Sequence, residues 1–330
     1  VRPPVPYVRG LLSVLALAVC SGLSGASGEP ERTTCRHWAV LLPEDAGQLR
    51  TYDGIRKGLE VAQLERLCLK DLADDEAAFR GFVAEHRALP SPTPLVFAVG
   101  RRAGDRLLAA GFEGPGVYVT TAMTVGGLPL TPEPALPPGS LRARGEISAE
   151  VLGSALSDLL GVNPPLVRLT WEATSPEATA AAERLMKAAG LTLAPVEPIA
   201  PPSIVPQALL HLRLGLGERL YPWAQVVAEA TQGKFAVLSD DPAHYGTGAA
   251  LVVTPDHALL GRLAAEAGRR LWRGEAQGSE PLVARECRLL VDLDACAAQG
   301  VVPPVTFLAR VHGVRSSAAR RPPLAPPGPR

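Results

Sequence analysis

The sequence predicts an α/β protein of two doubly wound parallel-sheet lobes with an interlobe cleft. Three observations carry that expectation. From residue 37 onward, short apolar runs alternate with amphipathic helical stretches, the βαβα order that gives a parallel sheet covered by helices on both faces. Over 125–140 the alternation stops in "VGGLPLTPEPALPPGS", a Pro- and Gly-rich segment without periodicity that reads as a crossover or linker. Beyond it the alternation restarts and runs into the C-terminal region.

Length and composition fit two such units. A chain of 330 residues is too long for one small domain, and 47% apolar against 20% charged residues can build two cores. The 33 prolines and 32 glycines fall mostly at element boundaries and in the tail, and no internal repeat is found.

In the first half, "HWAVLLP" (37–43) is a buried parallel strand. Residues 49–62 place Leu49, Tyr52, Ile55, Leu59 and Ala62 on one helical face. A strand over 64–72, a helix over 74–89 with acids in its first turn, a strand over 93–100, the helix "RAGDRLLAAG" and a strand over 114–121 follow. In the second half, a helix over about 147–160 turns Ile147, Val151, Leu152, Ala155, Leu156 and Leu159 inward. A strand over 165–173 leads to a helix over 175–190 that carries its own punctuation: Ser175 as cap, Pro176 in the first turn and Gly190 as stop. Strands at about 192–197, 208–214 and 234–239 come next, with a helix over 218–231 between the last two. A strand over 248–254 feeds a helix over 254–274, with Thr254 as its cap, Pro255 as its first residue and Gly274 as its stop. Near the C-terminal end, Asp292 caps a short helix that Gly300 ends and that Pro303 and Pro304 cannot continue. The tail, 315–330, is rich in proline and reads as disordered.

Charge and motifs narrow the function. Lys+Arg and Asp+Glu are 33 each, so no face is forced to be basic and no nucleic-acid partner is expected. GxGxxG after a strand, GxxxxGK[ST], HExxH and GxSxG are all absent, so the expectation is a protein that is not an enzyme, without cofactor or metal. "GLGER" (215–219) reads as a loop rather than a phosphate cradle, and His211, inside a strand pattern, reads as structural. The N-terminal 26 residues have basic Arg2 and Arg9, an apolar run over 11–19 and then small residues, the layout of a secretory signal peptide cut after Ala26. Cys20 offers a lipoprotein reading, against which Val19 stands where a small residue is wanted; an uncleaved anchor is the third reading. Any of these puts the protein outside the cytoplasm, periplasmic or exported. Cys35, Cys68, Cys287 and Cys296 then permit two disulfides in three pairings, or buried free thiols.

Two stretches stand where open α/β sheets bind ligands, at strand carboxyl ends. Trp171 and Glu172 close one strand, as ligand contacts or as an ordinary half-buried pair. Asp240 and Asp241 in "SDDP" close another, either to meet a cation, an amine or a proton, or with Asp241 capping the turn before Pro242.

The segment "LLVDLDACAAQGVVPPVTFLARVHGV" resembles the end of the substrate-binding proteins of a family of ABC importers, through Val291, Asp292, Leu293, Ala295, Ala298, Gly300, Pro303, Leu308, Ala309, Arg310 and Val314. The resemblance continues upstream through Gly248, Ala249, Gly261, Ala264, Leu271, Gly274 and Glu275, and "YDGIRKGLE" (52–60) is similar to that family's first helix. Where the family has an Asp-Pro step after the fourth strand, this chain has "TTAMTVGG". The resemblance implies a periplasmic-binding-protein type I-like fold whose lobes are joined by three crossovers. One lobe would be 36–145 plus about 254–285, and the other 146–253 plus about 286–314. It implies a solute-binding protein that captures a small organic, amino-acid-like solute and delivers it to an ABC permease and its ATPase, meeting the membrane only through that permease or a lipid anchor. The ligand contacts would be Tyr52, Gly100, Arg101, Thr120 and Thr121 from one lobe, and Trp171, Glu172, Tyr221, Asp240 and Asp241 from the other. Aromatic rings would sandwich the solute, Arg101 would pair with a carboxylate and an acid with an amine. The alternatives are a sensor or accessory protein that binds a protein partner, and an enzyme using Asp240 and Asp241 as acid–base groups.

Overall fold

In the computed structural model, which describes residues 37–41, 46–61, 67–72, 75–89, 94–170, 175–193, 207–212, 222–275 and 280–317, the chain builds two sheets, each of seven strands among the described residues. All described residues belong to one unit, 35–330. Residues 1–36, with the expected signal peptide, Cys20 and Cys35, lie outside the described residues, as do 213–221 and the tail from 318.

The first half runs β1 (His37–Leu41), α1 (Ala46–Val61), β2 (Leu67–Asp71), α2 (Glu76–Arg87), β3 (Leu95–Val99), α3 (Arg101–Ala109), β4 (Gly116–Val125), β5 (Leu128–Pro129) and β6 (Leu141–Ser148). The second runs α4 (Ala149–Leu160), β7 (Leu166–Leu169), α5 (Pro176–Ala189), β8 (Thr192–Leu193), β9 (Ala208–His211), α6 (Trp223–Gly233), β10 (Ala236–Ser239), a 3-10 turn (Pro242–His244), β11 (Leu251–Pro255), α7 (His257–Trp272), β12 (Leu282–Ala284), β13 (Cys287–Asp292), α8 (Leu293–Ala298), α9 (Val305–Leu308) and β14 (Gly313–Arg315). The first sheet has the order β12-β6-β4-β3-β1-β2, parallel throughout, with β5 folded back antiparallel on β4. The second has the order β14-β13-β11-β10-β9-β7-β8, and only β13 against β11 is antiparallel. The expected two-lobe parallel α/β architecture is what the chain adopts.

Burial explains the apolar runs. All five residues of β3 are buried because helices cover both faces. Val99 and Phe97 join α1 and α7 in one core, while Val96 and Ala98 join α2 and α3 in another. A third core fills one side of the second sheet around α4 and α5.

The chain passes between the sheets three times, at β6 to α4, at β11 to α7 and at β12 to β13. The second passage returns α7 onto α1 at close range. A Cβ on Gly261 would meet the Thr51 carbonyl and stand 2.7 Å from the Cα of Gly54, and one on Gly54 would stand 2.8 Å from the Ala258 carbonyl. Above this crossing, Thr51 Oγ1 and His257 Nδ1 lie 3.0 Å apart. Below it, Arg269 Nη1 donates to the Gly58 carbonyl at 2.9 Å.

Local capping follows the sequence at two helices. Ser175 Oγ accepts from Ala178 N at 3.1 Å, Asp292 Oδ1 accepts from Asp294 N and Ala295 N, and Gly190 takes the left-handed conformation at φ 64°.

Other expectations need correction. The helix expected from 147 starts at Ala149. Leu141–Ser148 is instead a strand, and Ser148 Oγ caps α4 by accepting from Val151 N. Strand β4 likewise runs on to Val125, into the segment read as a linker. The cap of α7 is Asp256, whose Oδ1 accepts from Ala258 N and Leu259 N at 2.9 and 3.1 Å. Thr254 and Pro255 remain extended because they pair with Arg288 and Cys287 of β13. Leu49 and Val151, expected to face inward, are exposed. Order continues past the expected start of the tail. Arg315 pairs with Asp292 in the β13–β14 register, and Ser317 donates through N and Oγ to Asp294. Cys68 is in a disulfide whose partner lies outside the described residues, whereas Cys287 and Cys296 are free thiols. Burial pushes these two thiols up to about 11 and about 12, so they stay protonated and inert.

Two predictions follow from the packing. Gly261→Ala, at the helix crossing, should destabilise the protein by about 1–3 kcal/mol. Gly81→Ala in α2, whose Cβ would meet nothing within 4 Å, should stabilise it by about 0.5–1 kcal/mol; urea unfolding midpoints of the two variants check both signs. The Asp256 carboxyl feels burial, which raises its pKa, but the Arg288 guanidinium and the amides of Leu259 and Ala258 outweigh that and hold it below 3.8. A carboxyl more acidic when folded contributes stability above its unfolded value, and that contribution is lost as pH falls through the folded value. Asp256→Ala should therefore lower stability by about 0.5–2 kcal/mol at neutral pH, and its gap from the parent protein should narrow in unfolding measured at pH values taken progressively below 3.8.

Candidate functional site

Parallel strands deliver their carboxyl ends to one edge of a sheet, and side chains just past those ends are presented together. In the second sheet β7, β9 and β10 are neighbours and parallel. Their ends present Thr170, His211, Ser239, Asp240 and Asp241.

These groups are wired to one another. Thr170 Oγ1 and His211 Nδ1 lie 2.7 Å apart, and both residues are buried. Ser239 Oγ accepts from Asp241 N at 3.1 Å and lies 2.8 Å from His244 Nδ1. The Asp241 carboxylate caps the 3-10 turn through Ala243 N at 2.9 Å, and its other oxygen is 3.8 Å from His244 Nε2. A carboxylate on that side favours the tautomer with its proton on Nε2, for which Nδ1 accepts from Ser239. Trp223, the first residue of α6, stacks on His244 with ring centroids 3.7 Å apart and planes 6° apart. Its indole Nε1 donates to the Thr247 carbonyl at 3.1 Å, which fixes the ring plane. His211 stands 5.2 Å from each of the other two rings. The result is a cluster of three rings, two of them stacked and His211 tilted against both, at the strand end that leads into half-buried Asp240.

The first lobe meets this end of the second sheet. The 3-10 turn that carries His244 lies against α1. Gly100, at the end of β3, has φ 97°, and a Cβ there would stand 2.5 Å from Gln48 Nε2. The positive φ favours glycine at that strand end, beside the Gln48 side chain in the first turn of α1.

Of the ten residues expected from sequence, the structure brings some together and separates others. Asp241 is tied to the ring cluster through Ser239 and through its cap of the 3-10 turn, and Asp240 precedes it just past the end of β10. Gly100 faces Gln48, and Tyr52 packs half-buried against the α1–α7 core. Arg101, Thr120 and Thr121 instead line a different pocket, under residues 131–136. The Arg101 guanidinium is turned there, donating to Thr131 Oγ1 at 2.6 Å and to the Pro132 carbonyl at 3.3 Å, with the Asp105 carboxylate at 3.6 Å. Trp171, Glu172 and Tyr221 lie outside the described residues, as does "GLGER".

Sequence reasoning missed Thr170, Trp223, Ser239 and His244. Starting the helix at 218 made Trp223 look like helix interior. Its position right after Pro222, at the true first turn, was the available signal. Among the described residues no group of three or more His, Cys, Asp and Glu side chains is arranged to hold a metal ion.

No family model matches the sequence, and no curated protein does. Solved structures do match. The chain is similar to the ABC domain in complex with L-Trp from Streptococcus pneumonia, at 15% identity over 86% of this chain and 100% of that one, with a TM-score of 0.61. It is similar to the ligand-free, open structure of CD0873, a substrate binding protein with adhesive properties from Clostridium difficile, at 15% identity over 86% and 99% of the two chains, with a TM-score of 0.62. A conserved domain protein from Vibrio cholerae matches at 18% identity over 86% and 100%, with a TM-score of 0.60. Together with the two crossed-over sheets, these likenesses establish a periplasmic-binding-protein type I-like fold.

Replacing His244 with Ala removes both the Ser239 partner and the ring stacked on Trp223. The expected result is a loss of about 1–2 kcal/mol in stability and a rise in iodide quenching of tryptophan fluorescence.

Proposed function

We propose that this protein is an extracytoplasmic solute-binding protein that captures a small organic solute between its lobes and delivers it to an ABC import permease and its ATPase. The observation that carries the reading is the ring cluster of His211, Trp223 and His244 at strand carboxyl ends, with the 3-10 turn that holds His244 lying against α1. The half-buried Trp223 ring offers an aromatic surface to an organic solute with an apolar body. Asp240, just past β10, supplies a carboxylate for an amine, and Asp241 holds the turn that carries His244. An amino-acid-like solute meets these demands, and the L-Trp held by the Streptococcus structure is of that class.

The lobes in this reading are 36–145 with about 254–285, and 146–253 with about 286–314. The three passages between the sheets support that division. A solute touching both walls binds the closed arrangement better than the open one and so shifts the protein toward it. Export is supported by the signal-like N-terminal sequence and by the disulfide at Cys68, a bond that persists in oxidising compartments.

Native mass spectrometry of the mature protein, with identification of any solute released on denaturation, tests this reading. The expected result is a co-purifying or added amino-acid-like solute whose affinity falls about tenfold or more in Asp240→Ala and in Trp223→Ala, the loss of one good contact each. An empty protein with no thermal shift across amino acids, peptides and sugars overturns it and favours a sensor or accessory role.

A further inference from the structure

Three passages carry the chain between the sheets, but a fourth strand reaches both cores without being one of them. β6 makes the first passage. Its Leu141 and Ala143 lie in the core of the first lobe, and its Ile147 lies in the core of the second, among residues of α4 and α5. β4 leads back into the first sheet, through β5 and the Pro-rich strap 130–140, yet it is divided in the same way: Val117 and Val119 belong to the first core and Met123 to the second. The two strands are parallel and paired without a break from Val117 and Leu141 to Thr124 and Ser148. β5 folds back on the end of β4, with Thr124 opposite Pro129 and Val125 opposite Leu128, and Leu130 N donates to the Met123 carbonyl at 2.8 Å. The turn of this hairpin is Gly126 and Gly127 at φ 58° and 78°, the left-handed pair that a two-residue hairpin favours. Leu130 joins Met123 in the second core, and both side chains are buried.

The passages are packed on one another at the same level. A Cβ on Gly145 of β6 would stand 2.9 Å from Pro255 Cβ, so the first and second passages touch with no space between them. The Cys287 thiol donates to the Glu146 carbonyl at 3.1 Å and joins the third passage to the first. A lone strand between two lobes bends when a few residues change φ and ψ. A strand hydrogen-bonded along its length to a neighbour bends only if the neighbour follows. Here the neighbour ends in a hairpin whose Met123 and Leu130 would then have to leave the second core and expose apolar surface.

We propose that the β4–β5 hairpin is an interlobe brace, a first-lobe element anchored in the core of the second lobe, which confines the two lobes to a narrow range of relative positions. Met123 and Leu130 are its anchors, and the β4–β6 pairing is the arm that holds them. The apparent affinity of a site scales with the fraction of molecules that hold the competent arrangement. For the solute-binding reading above, the brace therefore sets how many molecules present a competent cleft. The brace itself does not rest on that reading, because it concerns the lobes with or without a solute.

The test measures the distance between the lobes in solution, in the full chain and without added solute. Spin labels on non-natural side chains replace the exposed Ala84 of α2 and Ala180 of α5, which leaves the native cysteines untouched. The parent protein should give one narrow distance distribution by pulsed electron spin resonance. Leu128→Ser, beside the turn and 73% exposed, should keep it. Met123→Ala combined with Leu130→Ala should broaden it, in a protein whose circular dichroism remains that of the folded chain. Should that pair not fold, Gly126→Val combined with Gly127→Val strains the turn at two left-handed positions where a Cβ meets nothing within 4 Å, and so loosens the hairpin without emptying either core. The same broadening is expected there. A broad distribution in the parent overturns the proposal. So does a folded variant that unfolds earlier yet keeps the narrow distribution, since the hairpin would then add stability without confining the lobes. Failure of both variants to fold would make the hairpin a requirement of folding rather than a brace, and would overturn it equally.

Discussion

The close approach of α1 and α7 is the constraint on which the rest of the molecule depends. Gly54 and Gly261 face each other at a distance that leaves no room for side chains, so two helices far apart in sequence lie nearly backbone to backbone. Through this contact the chain leaves the second sheet and returns to complete the core of the first, where Leu260, Ala264 and Ala267 of α7 meet Ile55 and Leu59 of α1. His257 sits at the junction, with Nδ1 3.0 Å from Thr51 Oγ1 and Nε2 3.1 Å from Thr254 Oγ1, and so joins the first lobe's helix to the last strand before the passage. Asp256, beside it, caps α7 and reaches Arg288 of β13. The second passage between the sheets is thus held by directed polar contacts, while the lobes themselves are held by apolar burial.

That arrangement decides where chemistry can sit. The first sheet sends Gly100 and the start of α1 toward the second sheet's strand ends, and there the rings of His211, Trp223 and His244 gather. None of these rings is adjacent to another in sequence. Each is brought in by a different element, a strand end, a helix start or the 3-10 turn, and then fixed by a hydroxyl: Thr170 for His211, Ser239 for His244, Thr247 for the stacked Trp223.

On the other side of the first sheet, β6 shows how a charged strand can be interior. Arg144 and Glu146 are both buried, joined at 2.6 Å, and Arg144 shares Glu133 with Arg142. Buried charges persist only when each is met by a partner, and here the Pro-rich strap supplies the missing carboxylate. The strap takes the place of a covering helix, and the pocket beneath it exists because a thin extended segment fills less volume than a helix.

The sequence by itself determined the alternation of strands and helices, the two-lobe class and the caps at Ser175 and Asp292, because each rests on residues a few positions apart. Hydrophobic period and capping are local signals, and they survive without knowledge of the fold. The tertiary structure alone decided the rest. "LRARGEIS" became a strand because Glu133 neutralises its charged face, and that pairing is invisible to a reading of apolar period. Thr254 lost the cap of α7 to Asp256 because pairing with β13 holds residue 254 extended. Arg101, Thr120 and Thr121 stand around the strap rather than beside Asp240, and the rings that surround His211 come from other parts of the chain. In each case the deciding partner comes from another strand, helix or loop, and long-range contacts of that kind are set by packing, which no local pattern encodes.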